Sequence, residues 1–166
     1  LRAVEFPLDH FCRYDELTAF LQEVAASHPH LVSIESIGRS HEGRDIWLAT
    51  VTDVATGPHS EKPAMWVDGN IHATELTASA AVIGILRHLV TGFGTDERVT
   101  EALATRPFYL VPRVNPDGAE LALADRPRYL RSSVRPWPWT DRWMQPGLHA
   151  QDIDGDGRIL EMRIED

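Results

Sequence analysis

The first amphipathic segment of the chain covers residues 14–27. Its apolar residues recur at helical spacing and would share one face: Leu17, Phe20, Leu21 and Val24. Asp15 is the predicted N-terminal cap, and His28 followed by Pro29 is the predicted end. The pattern therefore predicts an amphipathic helix with one buried face.

Three strand-like runs follow this helix. The runs LVSIESIG and DIWLATVT are joined by RSHEGR, in which Gly43 suits a turn, so they predict a β-hairpin. KPAMWVDGN is predicted to be a further strand, because it begins at a proline and ends at a glycine.

Helical and strand-like patterns then alternate up to residue 125. Residues 74–89 are small or apolar and predict a long buried helix, and DERVTEALAT predicts a short one. FYLVPRVNPDG predicts a strand that closes in an Asn-Pro-Asp-Gly turn. This order of elements predicts an α/β fold, in which a mixed sheet is flanked by helices on both faces.

The pattern changes after residue 125. Residues 126–147 are rich in Arg, Pro and Trp and lack the period of a helix or central strand, so they predict a loop. An aspartate-rich turn and a strand-like stretch follow. We therefore expect an α/β part at 1–125, and a loop and turn at 126–166 that continue into further sequence.

Composition narrows the class of protein. The chain is 43% hydrophobic and 25% charged, as in globular proteins, and no apolar run approaches the ~20 residues of a membrane span. A formal charge of −9 disfavours a nucleic-acid partner. Cys12 is the single cysteine, which excludes an intrachain disulfide; a buried thiol is favoured over a pair with His10, since side chains two residues apart need not face each other. The cellular compartment stays open.

The stretch GNIHATEL, residues 69–76, contains a candidate metal pair. His72 and Glu75 lie where a predicted strand gives way to a predicted helix, the position at which open α/β sheets gather ligands. An imidazole nitrogen and a carboxylate oxygen are both good donors to Zn²⁺, and their spacing lets them converge on one ion. His72 and Glu75 are therefore the predicted zinc ligands.

Four motifs in fixed order resemble a known family. IGRSHEGRDIW, DGNIHATE, VPRVNPDG and RYLR look like the zinc carboxypeptidases of the carboxypeptidase A type, over residues 14–131. The resemblance implies a metallocarboxypeptidase that acts on the C-termini of peptides or proteins. It also implies that His72 and Glu75 supply two of three zinc ligands.

The same resemblance implies a catalytic arginine after the Asn-Pro-Asp-Gly turn. In the family this arginine polarises the scissile carbonyl and stabilises the oxyanion, and Arg131 matches it best. A guanidinium suits the role because it stays charged and directs several donors. Arg128 and Arg135 are the alternatives if the match is displaced by one turn.

The chain departs from the family pattern in three ways. The family's second zinc-binding histidine and its catalytic glutamate find no counterpart up to residue 166. Its Asn-Arg pair for the terminal carboxylate is also absent, since Asn70 and Asn115 are followed by Ile and Pro. We therefore expect the N-terminal part of a larger enzyme, inactive by itself. The alternatives are a related zinc amidohydrolase or acylase, a peptidoglycan peptidase, or a non-catalytic module.

An aspartate cluster near the end of the chain suggests a second metal. Asp152, Asp154 and Asp156 alternate before Gly157, a spacing that turns carboxylates onto Ca²⁺. The twelfth position of the loop, however, is Arg163, where an EF-hand has a bidentate glutamate. A calcium site and a plain polar turn therefore both remain possible.

Overall fold

The first helix, α1, has the predicted bounds, Tyr14–Ser27, and buries the four predicted apolar residues. Its C-cap residue is His28, at the predicted stop. Arg13, however, is its N-cap residue, so the prediction of Asp15 as the cap is wrong. Asp15 lies inside the first turn, where a carboxylate is favoured by the positive end of the helix dipole.

The predicted hairpin is present. The computed structural model describes residue 4 and residues 6–127, 130–132, 152 and 155–158. Within it, β1 (Val32–Arg39) pairs antiparallel with β2 (Asp45–Val51). Gly43 lies in the connecting turn with a positive φ of 80°, a conformation that glycine adopts without steric cost.

Two further strands complete a mixed sheet. β3 (Met65–Asp68) and β4 (Phe108–Val111) pair in parallel, and β4 also pairs antiparallel with β2. The order across the sheet is β1-β2-β4-β3. Two short 3-10 turns, Val54–Thr56 and His59–Glu61, connect β2 to β3.

The long buried helix, α2 (Leu76–Gly92), begins two residues later than predicted. Its N-cap residue is Glu75, with the non-helical angles φ −84° and ψ 55°, so His72 and Glu75 lie in the loop before the helix. The short helix α3 (Glu97–Thr105) is present as predicted, and the Asp96 side chain caps it by accepting from two backbone amides.

The Asn-Pro-Asp-Gly segment differs from its prediction as an isolated turn. It opens the helix α4 (Pro116–Ala122), in which the Asn115 side chain accepts a hydrogen bond from the amide of Gly118. Asparagine at the N-cap and proline at the first helical position both favour a helix start. The strand prediction for residues 108–118 therefore holds over its first four residues.

Helices and sheet share one apolar core. α1 packs beside β1, and α2 packs beside β3 and β4. Contacts divide the chain into two units, Leu1–Val134, which contains all these elements, and Arg135–Asp166. Among the described helices, none is by itself long and apolar enough to span a membrane; α2 and α3 meet that requirement jointly, with a 103° bend between them. The apolar core includes buried side chains from α1, β2, α2, α3 and β4: Leu21, Val24, Val51, Leu86, Leu103 and Leu110.

Candidate functional site

The loop that carries the candidate metal pair starts at Gly69, directly after β3. The Gly69 amide donates to the carbonyl of Val111, and its carbonyl accepts from the amide of Val114, both at 3.0 Å. A Cβ atom at this position would lie 2.7 Å from the carbonyl oxygen of Ala78 in α2. Glycine is therefore required for the strand end to approach the helix this closely.

Asn70 sets the direction of the loop. It is buried and has a positive φ of 56°, a conformation that asparagine tolerates better than most residues. Its Nδ2 donates to the carbonyls of His72, at 2.8 Å, and Ala73, at 3.2 Å. The backbone carbonyl of Asn70 accepts a hydrogen bond from the backbone amide of Asn115 at 3.0 Å. These bonds fix the backbone on which the candidate ligands stand.

His72 and Glu75 converge at the end of this loop. His72 Nδ1 lies 2.9 Å from Glu75 Oε1, and the two side chains are 33% and 52% exposed. Two good zinc donors thus lie together within reach of solvent. In the part of the chain that the structure describes, no third His, Cys, Asp or Glu donor joins them.

Arg131 lies beside the pair. Its Nη1 is 4.0 Å from Glu75 Oε1, and its side chain is 67% exposed. Its backbone carbonyl accepts from the amide of Ala73 at 3.0 Å, so the arginine segment is bonded to the ligand loop itself. The neighbouring carbonyl of Ser132 accepts from Asn115 Nδ2 at 2.6 Å. Arg128 and Arg135, the alternatives to Arg131, lie outside the described residues.

The buried carboxylate of Asp117, in the first turn of α4, accepts several hydrogen bonds. Asp117 Oδ1 accepts from Ser40 Oγ and from an Arg44 nitrogen, each at 2.7 Å, and Oδ2 accepts from the amide of Glu42 at 3.0 Å. Burial acts to raise the pKa of Asp117, but the hydrogen bonds outweigh it and leave this pKa below its ordinary value of 3.8. The start of α4 is thereby tied to the turn between β1 and β2.

The first turn of α4 also contacts the ligand loop directly. A Cβ atom at Gly118 would lie 2.6 Å from the Cβ of Ala73, which is fully buried. Sequence reasoning missed the supporting roles of Asn70, Asn115 and Asp117. The available signals were an asparagine directly before the Ile-His step and the helix-start chemistry of Asn-Pro-Asp-Gly.

The aspartate turn is described in part. Asp152 accepts hydrogen bonds from the amides of Gly155, at 2.6 Å, and Gly157, at 2.8 Å. Asp156 accepts from the amide of Arg158 at 2.8 Å. These are bonds of a tight turn, with both glycines at positive φ. Asp154 lies outside the described residues, so the calcium site stays a prediction.

Cys12 lies close to two other potential metal ligands. Cys12 is buried, as expected. The ligand atoms of His10, Cys12 and Glu16 nevertheless all lie within 4.8 Å of one another. The extended backbone before α1 and the first turn of the helix bring them together, which spacing along the sequence does not reveal.

Comparison with known proteins identifies several relatives. The family model described as zinc carboxypeptidase matches residues 17–152. A zinc carboxypeptidase of Saccharothrix mutabilis subsp. capreolus is 28% identical over 122 residues, which are 72% of this chain and 28% of that protein. Carboxypeptidase B of Astacus astacus is 34% identical over 112 residues, which are 68% of this chain and 35% of that protein. The chain thus spans about a third of these relatives' length.

Solved structures show the same fold. Carboxypeptidase A from Helicoverpa armigera superposes with a TM-score of 0.68 and 25% identity, over 80% of this chain and 31% of that one. Thrombin activatable fibrinolysis inhibitor superposes with a TM-score of 0.69 and 21% identity, over 79% of this chain and 32% of that one. The α/β fold prediction is confirmed, and these relatives do not favour the amidohydrolase, peptidoglycan peptidase or non-catalytic alternatives.

Proposed function

The chain belongs to the zinc carboxypeptidase family, and from that premise we propose that the complete protein is a metallocarboxypeptidase that hydrolyses C-terminal peptide bonds. The observation that carries the proposal is the convergence of three side chains. His72 and Glu75 lie 2.9 Å apart, and the Arg131 guanidinium is 4.0 Å from the same carboxylate oxygen of Glu75. Two metal donors and one anion-binding group thus lie together.

The donor set fits zinc. One neutral imidazole and one carboxylate are borderline and hard donors of the kinds that Zn²⁺ accepts, and both side chains are accessible to an ion from solvent. When bound, zinc supplies Lewis acidity and a water of lowered pKa. The Asn70 bonds to the carbonyls of His72 and Ala73 hold the loop, so that its backbone is already ordered before an ion binds.

Arg131 would bind the carbonyl oxygen of the scissile peptide bond. Its side chain is largely exposed, and its permanent charge and directed N–H groups favour the negative charge that develops on this oxygen during attack. The bond from the Ala73 amide to the Arg131 carbonyl holds its backbone at the ligand loop. Glu75 is the nearby anion that attracts the guanidinium before substrate binds.

The remaining groups of such an active site belong to the proposal. A third zinc ligand, a general base for the attacking water and a clamp for the substrate's terminal carboxylate are expected outside residues 1–166. With two donors alone, the His72–Glu75 pair should hold zinc weakly, because a catalytic zinc normally has three protein ligands. We therefore expect no carboxypeptidase activity from the 166-residue chain. The substrate would be a peptide or protein with a free C-terminus.

Steady-state kinetics of the complete protein tests the role of Arg131. Arg131→Ala should lower kcat by about 10²–10³-fold with a smaller change in KM, as expected when one preorganised donor to the transition state is lost. Zinc content should be unchanged, because a guanidinium is not a metal ligand. Arg128→Ala and Arg135→Ala are the matched controls and should stay within about tenfold of wild type.

Two results would contradict the proposal. A large loss of kcat in Arg128→Ala or Arg135→Ala, with Arg131→Ala unaffected, would transfer the role to that arginine. Zinc content that is unchanged in both His72→Ala and Glu75→Ala would refute the metal assignment itself.

A further inference from the structure

We propose that His10, Cys12 and Glu16 form a second metal site, for zinc or a similar borderline ion, separate from the His72–Glu75 pair. The three side chains come from the segment before α1 and from its first turn. One ligand atom from each lies within 4.8 Å of the other two. Three donors of different chemistry, a nitrogen, a sulfur and an oxygen, are therefore already close enough to surround one ion.

The His10 ring is held between two carboxylates. Its Nδ1 lies 2.7 Å from Asp9 Oδ1, and its Nε2 lies 2.6 Å from Glu16 Oε1. Histidines that bind metals commonly use their second ring nitrogen to bond a carboxylate, which fixes the ring. Asp9 would take that supporting role, and an ion would replace the proton that His10 Nε2 and Glu16 share.

The donor types select the class of metal. A thiolate is a soft ligand that favours zinc over calcium or magnesium. On binding, the Cys12 thiol would give its proton to solvent, so that a divalent ion meets one thiolate and one carboxylate and its charge is balanced. The nearby Arg113 guanidinium donates to the Cys12 carbonyl at 2.9 Å; the Glu120 carboxylate lies 3.9 Å from it but also pairs with Arg13 at 2.9 Å.

An open groove gives access to the site. His10 and Glu16 are 48% and 44% exposed and line this groove together with Phe6, Leu8 and Phe20. Cys12 is 2% exposed and does not line the groove; together with His10 it lines a small neighbouring cavity. An ion would enter from the groove and meet the thiol last, with a remaining coordination position left for water.

X-ray absorption spectroscopy at the zinc edge tests the site in the 166-residue chain. The zinc-loaded protein should show a sulfur neighbour at about 2.3 Å. Because Cys12 is the single cysteine, this signal should disappear in Cys12→Ser. It should persist in His72→Ala, which removes a ligand of the other pair, so failure of this site is distinguishable from failure of the proposed carboxypeptidase function.

Zinc titration of matched variants completes the experiment. Glu16→Gln should weaken zinc binding by at least tenfold, and Asp9→Asn by about 10–100-fold as a supporting group. Glu23→Gln, on the same groove, is the control and should leave affinity unchanged. Thermal unfolding without zinc checks that each variant is folded. A zinc-loaded chain without a sulfur neighbour, or an affinity unchanged in Glu16→Gln, would overturn the proposal.

Discussion

Two carboxylates at helix starts, Asp117 in the first turn of α4 and Glu75 at the N-cap of α2, have opposite surroundings. Asp117 is buried, and its two oxygens accept hydrogen bonds from Ser40, Arg44 and the Glu42 amide. Glu75 is half exposed; its Oε1 bonds His72, and the nearest guanidinium nitrogen is 4.0 Å away. Donors from the protein thus engage the Asp117 carboxylate, whereas the Glu75 carboxylate is accessible to solvent.

The comparison distinguishes a carboxylate that stabilises the fold from a carboxylate that is available to bind a ligand. A buried carboxylate is stable only when donors satisfy it, and donors from the protein engage both oxygens of Asp117. Glu75 makes few protein contacts and can exchange them for a metal ion at small cost. The loop that carries Glu75 is nevertheless held by hydrogen bonds of Asn70 and Gly69. Rigid backbone under accessible side chains is the arrangement that a binding site needs.

The largest effect on stability is expected at Asp117. Asp117→Asn should lower the free energy of unfolding by about 3 kcal/mol, near the low end for breaking a buried pair, because Arg44 retains partial exposure. Urea unfolding of the 166-residue chain measures it. Glu42→Gln is the matched control: Glu42 pairs with the same Arg44 but is 42% exposed, so its loss should cost less than about 1 kcal/mol. Equal losses in the two variants would remove the distinction between buried and exposed carboxylates.

An intermediate effect is expected from acid. The folded-state pKa of Asp117 is below the ordinary value of 3.8, so the unfolded chain takes up this proton first as the pH falls. The stabilisation from Asp117 is therefore complete above about pH 5 and is lost as the pH falls past 3.8 through the lower folded value. Unfolding measured from pH 6 to pH 2.5 should show it.

The difference between wild type and Asp117→Asn isolates this contribution, because Asp9 and Asp45 also have lowered pKa values, held down by His10 and by Ser36 and Arg39. The difference in unfolding free energy should be constant near neutral pH and should shrink in acid. A difference that grows in acid would mean that the pKa of Asp117 is raised on folding.

The smallest effect is expected at the candidate metal pair. In buffer with a chelator, His72→Ala and Glu75→Ala should each change the unfolding free energy by less than about 0.5 kcal/mol, since both side chains are accessible and Glu75 makes no capping bond to α2. Urea unfolding again measures this. A loss above about 2 kcal/mol in either variant would assign the pair a structural role instead.

Sequence patterns predicted the elements that rest on periodicity. The bounds of α1 and the hairpin with Gly43 are confirmed. The helix was predictable because its four buried residues recur at helical spacing, and the hairpin because two strand-like runs are joined by a turn that contains glycine. The candidate pair, His72 and Glu75, was also identified from residue type and spacing. The predicted helix start at Thr74 was two residues too early, because Glu75 has non-helical angles and is the N-cap residue of α2.

Contacts across long stretches of chain were not predictable in this way. Asp117 and Ser40 are 77 residues apart, and Arg113 and Cys12 are 101 residues apart. A single sequence holds no periodic signal for such partners, since they depend on how β4 and the hairpin meet in three dimensions. The cluster of His10, Cys12 and Glu16 was not predicted for a related reason, because it depends on the path of the backbone into α1.

The close approach of Gly118 to Ala73 determines how the His-x-x-Glu motif can vary. The fully buried Ala73 methyl group occupies the space that any side chain at position 118 would enter, and Thr74 beside it is partly exposed. The two central positions of the motif should therefore tolerate substitution differently. Position 73 should accept only small side chains, whereas position 74 should accept side chains of many types. A directed-evolution library aimed at this site should randomise position 74 and leave positions 73 and 118 untouched.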